Sequence, residues 1–352
     1  MLRNSVLLIC TVMACVPPAA AQLGNSVLSR FITSDVPTLG PAEQPVKRNW
    51  TTPAVAQERP GSGIAQHPML YAGEGYNNIM LVNGGKVVWN YSAGPHGEID
   101  DVWMRSNGHV LFASQYQVVE VTPQKEVVWH YDAPQGTELH TCQPIGLNKV
   151  LLVQNGLPPK ILIINMKSNK VEVEHALPAE SLTDPKTVHL QFRRVRRTAK
   201  GTYLAAFLRM NKVVEFDKHF LPIWSYEIRT PWAAARLRNG NTLITDQADR
   251  LVREVNRKGE TVWELQQSDL PADVVLGNIQ TAERLANGNT VVFNSVWQVK
   301  RDAWKNIVQA LEVTPSKKVV WVLQDWKSLG PATTAQFLDQ PGRPERAGAL
   351  QR

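Results

Sequence analysis

The stretch Lys86-Val87-Val88-Trp89 decides the fold, because its pattern of apolar residues before a tryptophan returns along the chain. The other copies are Glu126-Val127-Val128-Trp129, Leu221-Pro222-Ile223-Trp224, Glu260-Thr261-Val262-Trp263 and Lys318-Val319-Val320-Trp321. The tryptophans at 89 and 129 are 40 residues apart, and those at 224 and 263 are 39 apart. Self-similarity at such a period indicates a repeat architecture.

The two longer spacings indicate six repeats. The 95 residues from Trp129 to Trp224 hold two units, and Lys170-Val171-Glu172-Val173-Glu174 is a degenerate ending between them. The 58 residues from Trp263 to Trp321 hold one unit with an insertion over 294–309.

Each unit has the pattern of four short strands. The predicted tight turns between the first two strands are Asn107-Gly108, Asn148-Lys149, Lys200-Gly201, Asn239-Gly240 and Asn287-Gly288. Asn-Gly accepts positive φ at both central positions and so closes two-residue hairpins. Four antiparallel strands in about 40 residues make one propeller blade. The sequence therefore predicts an all-β, six-bladed β-propeller, with the recurring tryptophans packed between neighbouring blades.

The first repeat has room for only three strands. The missing strand is predicted in 332–338, after the last tryptophan strand, where it would complete the first blade and close the ring. Closure removes open sheet edges. We expect the propeller over 67–342 and a disordered tail over 343–352.

Residues 1–21 have the pattern of a secretory signal: a charge at Arg3, an apolar stretch, and Ala19-Ala20-Ala21 before the predicted cleavage. The expected location is periplasmic or secreted, and a lipoprotein anchored at Cys15 is the alternative. Residues 22–66 are rich in Pro, Ser, Thr and Gly without periodicity, which predicts an extended, poorly ordered lead-in. No later segment is apolar for long enough to be a transmembrane helix.

The formal net charge is +7, which favours anionic partners. Export argues against nucleic acid as the physiological one. Removal of the signal would leave Cys142 as the remaining cysteine, so no internal disulfide is expected, and we interpret Cys142 as a buried apolar side chain.

The Val-Val-Trp endings and the Asn-Gly-Asn-Thr turns resemble the pyrroloquinoline-quinone-like (PQQ-like) and arylsulfotransferase-like propeller superfamily, above all its exported bacterial six-bladed members of unassigned function. The resemblance covers 67–342 and implies a fold more than a chemistry, because sites are grafted on propellers independently of the scaffold. Quinoprotein dehydrogenases carry an Asp and a Thr-Gly ahead of the tryptophan. This chain lacks that pattern, so we expect no PQQ cofactor. The arylsulfotransferase motif does not align, and none of its catalytic residues is carried over.

The innermost strands should deliver polar groups to the channel mouth on the face with the longer loops, where function concentrates on a rigid scaffold. The residues predicted there are Asp100, Asp101, His140, His189, Gln191, Trp232, Asn278, Gln280, Thr333 and Thr334.

Two of these, His140 and His189, come from adjacent repeats and should lie near each other. One could be a base, a nucleophile or a metal ligand, with Asp100 or Asp101 orienting it. The alternative is that each histidine caps a buried strand end. A metal site is the less favoured interpretation, because the chain has no short-spaced pair such as His-Xaa-His.

Four arginines follow at 193, 194, 196 and 197. Alternate residues of a strand point to opposite sides, and Arg193 would be nearest the mouth, able to bind a carboxylate, sulfate or phosphate. An exposed basic face is the favoured interpretation for Arg196 and Arg197. Further loop residues expected around the same funnel are Glu74, Tyr76, Tyr116, Asn155, Arg209 and Asp246.

The insertion carries Trp297, Lys300, Arg301 and Trp304. Aromatic rings beside cations suit a sugar ring or an anion, and a hydrophobic cover of the propeller face is the alternative.

Three functions follow. The leading hypothesis is an exported propeller that binds a small polar ligand, anionic or carbohydrate-like, including oligosaccharides. The second is an enzyme, a lyase, hydrolase or sulfotransferase-like protein, using His140, His189, Asp101 and Arg193. The third is a protein-interaction scaffold of the cell envelope. A large apolar patch would favour the scaffold, and a pocket with perturbed histidines would favour the enzyme.

Overall fold

A computed structural model of the chain describes residues 63–73, 77–94, 98–296 and 300–352. The predicted signal, most of the lead-in, and the candidates Glu74, Tyr76 and Trp297 lie outside the described residues. The described part forms six antiparallel sheets of four strands each, which confirms the six-bladed propeller.

In each of the first three blades, the strands are given from the innermost to the outermost. Blade 1 contains β24 (Thr334–Phe337), β1 (Met69–Ala72), β2 (Asn78–Asn83) and β3 (Lys86–Ser92). Blade 2 contains β4 (Ile99–Met104), β5 (Val110–Ser114), β6 (Gln117–Val121) and β7 (Val127–Asp132). Blade 3 contains β8 (Glu138–Ile145), β9 (Lys149–Asn155), β10 (Lys160–Asn165) and β11 (Lys170–Ala176).

The other three blades follow the same order. Blade 4 contains β12 (Phe192–Arg197), β13 (Tyr203–Phe207), β14 (Lys212–Phe216) and β15 (Pro222–Glu227). Blade 5 contains β16 (Pro231–Arg236), β17 (Thr242–Asp246), β18 (Leu251–Val255) and β19 (Thr261–Leu265). Blade 6 contains β20 (Asn278–Arg284), β21 (Thr290–Ser295), β22 (Ala310–Val313) and β23 (Val319–Leu323).

In the described part of the chain, short 3-10 helices occupy three connections: Pro185–Leu190, Gln267–Asp269 and Arg301–Asn306. None of the helices in the described ranges is long and apolar enough to cross a membrane.

The ring closes through β24, as the sequence predicts. β24 pairs antiparallel with β1, with Met69 opposite Phe337 and Ala72 opposite Thr334. Beside this junction, the Tyr71 hydroxyl donates a hydrogen bond of 2.7 Å to the carbonyl of Gly330. The innermost strand of the first blade therefore comes from the far end of the chain.

Three of the recurring tryptophans link neighbouring blades by the same hydrogen bond. The indole nitrogen of Trp89 donates to the carbonyl of Pro123, in the turn between the outer two strands of the next blade. Trp224 and Trp263 make the same bond to Arg257 and Pro315. Each tryptophan thus satisfies its polar atom while its ring packs at the blade junction, which is how buried indoles are normally accommodated.

The tight turns differ from the two-residue hairpins that we expected. At Asn107-Gly108 positive φ is found at the glycine, with a φ of 86°. The Gly108 amide donates to the Arg105 carbonyl, and the Arg105 amide donates to the His109 carbonyl. This is a three-residue connection in which one glycine in the left-handed region ends the turn. In blade 3 the positive φ falls at Gly146, so the predicted turn at Asn148-Lys149 lies too late.

The chain's last residues also differ from the prediction of a disordered tail. Leu350, Gln351 and Arg352 are buried, and the Arg352 guanidinium donates a hydrogen bond of 2.8 Å to the Val102 carbonyl. Both side-chain oxygens of Glu345 accept hydrogen bonds from Ser106, at 2.7 Å each. Segment 343–352 therefore covers the end of the channel opposite the predicted mouth.

The propeller's packing begins earlier than the expected boundary at residue 67. The Gly63 carbonyl accepts the indole hydrogen bond of Trp321, at 2.9 Å. Gly63, in the predicted lead-in, therefore contacts the outermost strand of blade 6.

Candidate functional site

The channel mouth contains a fully buried carboxylate and imidazole pair. Asp100 lies on β4 and His140 on β8, the innermost strands of adjacent blades. His140 Nδ1 lies 2.6 Å from Asp100 Oδ2, and 3.1 Å from Oε1 of Glu98, which precedes β4. The side chains of Asp100 and His140 are almost wholly removed from solvent. Such a pair is retained in a low-dielectric interior only when the charges compensate each other.

Glu138 connects this pair to a second histidine. Its Oε2 lies 2.9 Å from His140 Nε2 and 2.8 Å from His189 Nδ1. Its Oε1 accepts a hydrogen bond of 3.0 Å from Gln115. The chain Asp100, His140, Glu138, His189 is therefore continuous in hydrogen bonds.

Sequence reasoning missed Glu138 and Glu98, and a signal for both existed. Residues two apart on a strand share a face. Glu138 lies two residues before His140, and Glu98 lies two residues before Asp100. Each acid should therefore lie on the same face as the predicted site residue and closer to the mouth.

His189 belongs to the 3-10 helix Pro185–Leu190, which the Asp184 side chain caps, and not to a strand start as expected. Its side chain is 43 % exposed, whereas that of His140 is 2 % exposed. The two rings meet edge to face with centroids 5.5 Å apart. His189 is therefore the solvent-facing end of the chain.

Arg193 determines the tautomer of His189. The guanidinium Nη2 lies 2.9 Å from His189 Nε2, and arginine is always a donor. Nε2 must then accept, and Nδ1 carries the proton that is donated to Glu138. Arg193 also donates to the backbone carbonyl of His189 and lies 3.7 Å from Glu98 Oε1.

The electrostatics keep His140 protonated. Burial and Arg193 lower the pKa of His140, but hydrogen bonds to Asp100, Glu138 and Glu98 outweigh them and raise it to about 10. Both ring nitrogens then donate, as the two short carboxylate contacts require.

The surrounding carboxylates divide into two kinds. Burial would raise the pKa of Glu98, but Arg193 and the histidines hold it at about 2. Burial would also raise the pKa of Glu138, but the hydrogen bonds from His140 and His189 lower it. Burial and the neighbouring Glu98 raise the pKa of Asp100.

One group of donors among the described residues could reach a common metal ion. Single atoms of Glu98, His140 and His189 lie within 4.8 Å of one another. A metal would have to displace the protons through which His140 bridges Asp100 and Glu138. The hydrogen-bonding pattern of His140 therefore favours a proton over a cation.

Asp101 does not orient a histidine, contrary to one of our expectations. A β-bulge between Ile99 and Asp101 separates it from the surroundings of Asp100. Asp101 pairs with Arg196 through two contacts, at 2.7 and 2.8 Å, and also accepts from Thr141. It therefore belongs to a salt-bridge cluster deeper in the channel.

The exposed basic face expected for Arg196 is wrong. Arg194 and Arg196 are 1 % and 4 % exposed, and Arg194 donates to the Asp100 carbonyl at 2.8 Å. Trp232, predicted at the mouth, is buried with the Arg194 guanidinium 5.7 Å from its ring centroid. These side chains fill the channel behind the histidines.

Most other predicted residues serve local structure. Gln191 donates to the Gly156 carbonyl and Asn155 to that of Phe192. Asn278 accepts from Gln247, and Arg209 is paired with Glu180 on an exposed loop. The residues Gln280, Thr333 and Thr334 are buried among the innermost strands.

Two further predictions concern the loops around the mouth. Tyr116 is half exposed, and burial together with the nearby Glu138 and Glu98 raises the pKa of its hydroxyl. Trp304 packs with Val296 and Ile307 in a small apolar cluster, the arrangement expected of a hydrophobic cover. The interpretation of Cys142 as a buried side chain agrees with its zero exposure.

Neither a family model nor a curated protein matches the chain. Among solved structures, a protein of unknown function from Bacteroides caccae is similar at 26% identity and a TM-score of 0.68, over 76% of this chain and 97% of that one. A streptogramin B lyase is similar at 11% identity and a TM-score of 0.53, over 82% and 84% of the two chains.

A catalytically inactive virginiamycin B lyase from Staphylococcus aureus, with quinupristin, is similar at 12% identity and a TM-score of 0.53, over 76% and 88%. At these identities the likeness to the two lyases is one of fold alone.

Proposed function

We propose that the channel mouth is an acid–base catalytic site for a small polar substrate carrying a carboxylate, and that the reaction is an elimination of the lyase class. One observation carries the proposal: the hydrogen-bonded chain from buried Asp100 through His140 and Glu138 ends on half-exposed His189. A buried carboxylate behind an imidazole, whose free nitrogen faces the reactants, is the arrangement that activates a general base.

Each residue has a separate role. Glu138 holds the Nδ1 proton of His189, which leaves the Nε2 lone pair for a substrate proton. Arg193 occupies that lone pair at 2.9 Å and would turn to a substrate carboxylate, since a guanidinium binds carboxylates in preference to a neutral acceptor. Substrate binding therefore frees the base.

The elimination balances as follows. His189 Nε2 takes a proton from the carbon next to the carboxylate, and the electron pair forms a carbon–carbon double bond. The bond from the adjacent carbon to its oxygen substituent breaks, and the departing alkoxide takes a proton from water. The positive charges of Arg193 and His140 stabilise the negative charge that develops on the carboxylate.

The test is a substrate screen with paired variants. Polygalacturonate reports elimination by ultraviolet absorbance of the unsaturated product, and p-nitrophenyl acetate and sulfate report hydrolysis and sulfate transfer. We expect His189→Asn to lose at least about 100-fold in turnover, the usual contribution of a general base. His130→Asn is the matched control, because His130 is exposed on the outermost strand β7. Unchanged turnover in His189→Asn would place the chemistry elsewhere.

A second candidate is a binding protein for the same ligand class without turnover. Half-exposed Tyr116 beside Glu138 and Glu98 favours it, because an aromatic ring at a polar mouth suits a sugar face. Saturable binding of galacturonate that Arg193→Gln weakens, with no product from any substrate, would support this candidate over the enzyme.

The scaffold hypothesis has less support. The exposed apolar side chains in the described ranges include Val127, Val171, Ile223 and Val262, each on the outermost strand of a different blade. They are therefore distributed around the rim. Export, and membership of the PQQ-like and arylsulfotransferase-like superfamily, remain parts of the proposal that rest on the sequence.

A further inference from the structure

A basic pocket lies at the channel end opposite the histidines. Five arginines line it, and none of the described lining residues is acidic. Arg196 and Arg197 end β12, Arg236 ends β16, and Arg346 and Arg352 belong to the covering segment 343–352. The pocket is therefore assembled from two innermost strands and the C-terminal segment.

The acidic partners around this pocket are too few for its arginines. Asp101 alone pairs with Arg196, at 2.7 Å, and also lies 3.5 Å from Arg352 and 3.4 Å from Arg194. Glu215 is likewise shared, between Arg236 at 2.7 Å and Arg257. A third buried carboxylate, Glu283, interacts with Arg352 and Arg194. Three carboxylates are thus shared among five arginines, and positive side-chain charge exceeds negative charge at this end.

Several guanidinium hydrogens also lack acceptors. The Nε atoms of Arg197, Arg236 and Arg352 are buried, and within the described part of the chain they have no hydrogen-bond partner. Arg352 is 4 % exposed and the Arg236 side chain 9 % exposed. A buried charged donor without an acceptor is costly, and native proteins satisfy nearly all such groups.

We propose that this pocket binds a small tetrahedral oxyanion, phosphate or sulfate, either free or as the terminal group of a larger ligand. The anion supplies the acceptors that the three Nε–H groups lack and neutralises the excess charge. The cavity between them measures about 20 Å³, more than the roughly 10–15 Å³ that a single bound water needs. The site is separate from the histidine cluster and does not depend on its function.

The pocket is complete only when segment 343–352 lies over this end of the channel, because the segment supplies two of the five arginines. Glu345 fixes the segment to Ser106, and the Gln351 side chain accepts from the Arg238 amide at 2.7 Å. These contacts hold Arg346 and Arg352 over the pocket. Anion binding should therefore stabilise this segment as well as the ends of β12 and β16.

Calorimetric titration of the purified protein with sodium phosphate, sodium sulfate and sodium chloride at equal ionic strength tests the proposal. We expect saturable binding of phosphate and sulfate and none of chloride. The double variant Arg197→Gln/Arg346→Gln should bind at least about tenfold more weakly, because hydrogen bonds to charged groups are worth about 1.5 kcal/mol or more. Arg343→Gln is the matched control, with the same charge change on the same segment outside the pocket.

A parallel titration with glycerol 3-phosphate distinguishes the two sources of the anion. Equal affinity for glycerol 3-phosphate and for inorganic phosphate shows that the pocket admits a phosphate ester. Selective binding of inorganic phosphate shows that the ligand is the free ion. Absence of saturable binding, or equal affinity in the double variant and in wild type, overturns the proposal. Thermal unfolding distinguishes specific binding from a general salt effect. Sulfate that is merely excluded from the protein surface raises the unfolding temperature of wild type and variants alike.

Discussion

His140 Nδ1 lies 2.6 Å from Asp100 Oδ2, and both side chains are shielded from water by the innermost strands of blades 2 and 3. This contact organises the channel mouth, because the other ring nitrogen of His140 is committed to Glu138. The imidazolium therefore holds two carboxylates that belong to different blades.

Replacing His140 should be among the most destabilising single changes at the mouth. His140→Ala leaves Asp100 and Glu138 without the charge that compensates them, and breaking a buried pair costs about 3–5 kcal/mol. Urea unfolding gives the change in the free energy of unfolding. His130→Ala, at an exposed site, should stay within about 0.5 kcal/mol of wild type.

The stability of the fold should decline on the alkaline side of neutrality. The pKa of His140 is raised to about 10 and that of His67, by its contacts with Asp339 and Glu312 against burial, to about 9. A histidine whose folded pKa is raised contributes stability that is full below its unfolded pKa of 6.5 and is lost as the pH rises through the folded value.

The free energy of unfolding should therefore fall between about pH 7 and pH 10. The groups facing His140 are Glu98, Asp100, Glu138, His189 and Arg193, so His140→Asn should flatten this decline. A pH profile that is identical in wild type and His140→Asn would contradict the assignment.

The repeated tryptophans should differ in importance according to burial. Trp89 is 1 % exposed, whereas Trp263 is only partly buried, although both donate to the next blade. Trp89→Ala should cost about 3–5 kcal/mol, and Trp263→Ala clearly less. Thermal or urea unfolding of the two variants checks this order, which equal losses would refute.

Gly348 should be essential for seating segment 343–352. Its φ is 73°, and an added Cβ would lie 2.7 Å from the Ala199 amide nitrogen. Gly348→Ala should cost about 1–3 kcal/mol more than Gly240→Ala, because Gly240 also has positive φ but open space around it. Hydrogen exchange of 343–352 should increase only in the Gly348 variant.

The fold could be predicted from the repeat, because the apolar pattern of the strands and the spacing of Trp89 and Trp129 define one four-stranded blade. The repeat also placed Asp100 and His140, which lie at strand starts. The sequence predicts His189 at a strand start, because no periodic signal marks a 3-10 helix of one or two turns.

The burial of Arg194 and Arg196 could not be predicted from their own positions. Both share Asp101 with Arg352, which belongs to a segment that lacks any periodic pattern. Contacts between distant, aperiodic segments leave no local trace in a sequence.

The protonation states of His140 and His189 provide the strictest test of the proposed site. Long-range ¹H–¹⁵N correlation spectra at neutral pH, assigned with His140→Asn and His189→Asn, report which ring nitrogens carry protons. We expect His140 to be protonated on both nitrogens, and His189 to carry its proton on Nδ1 while its unprotonated Nε2 accepts from Arg193. A His189 ring protonated on Nε2, or a singly protonated His140, would contradict this expectation.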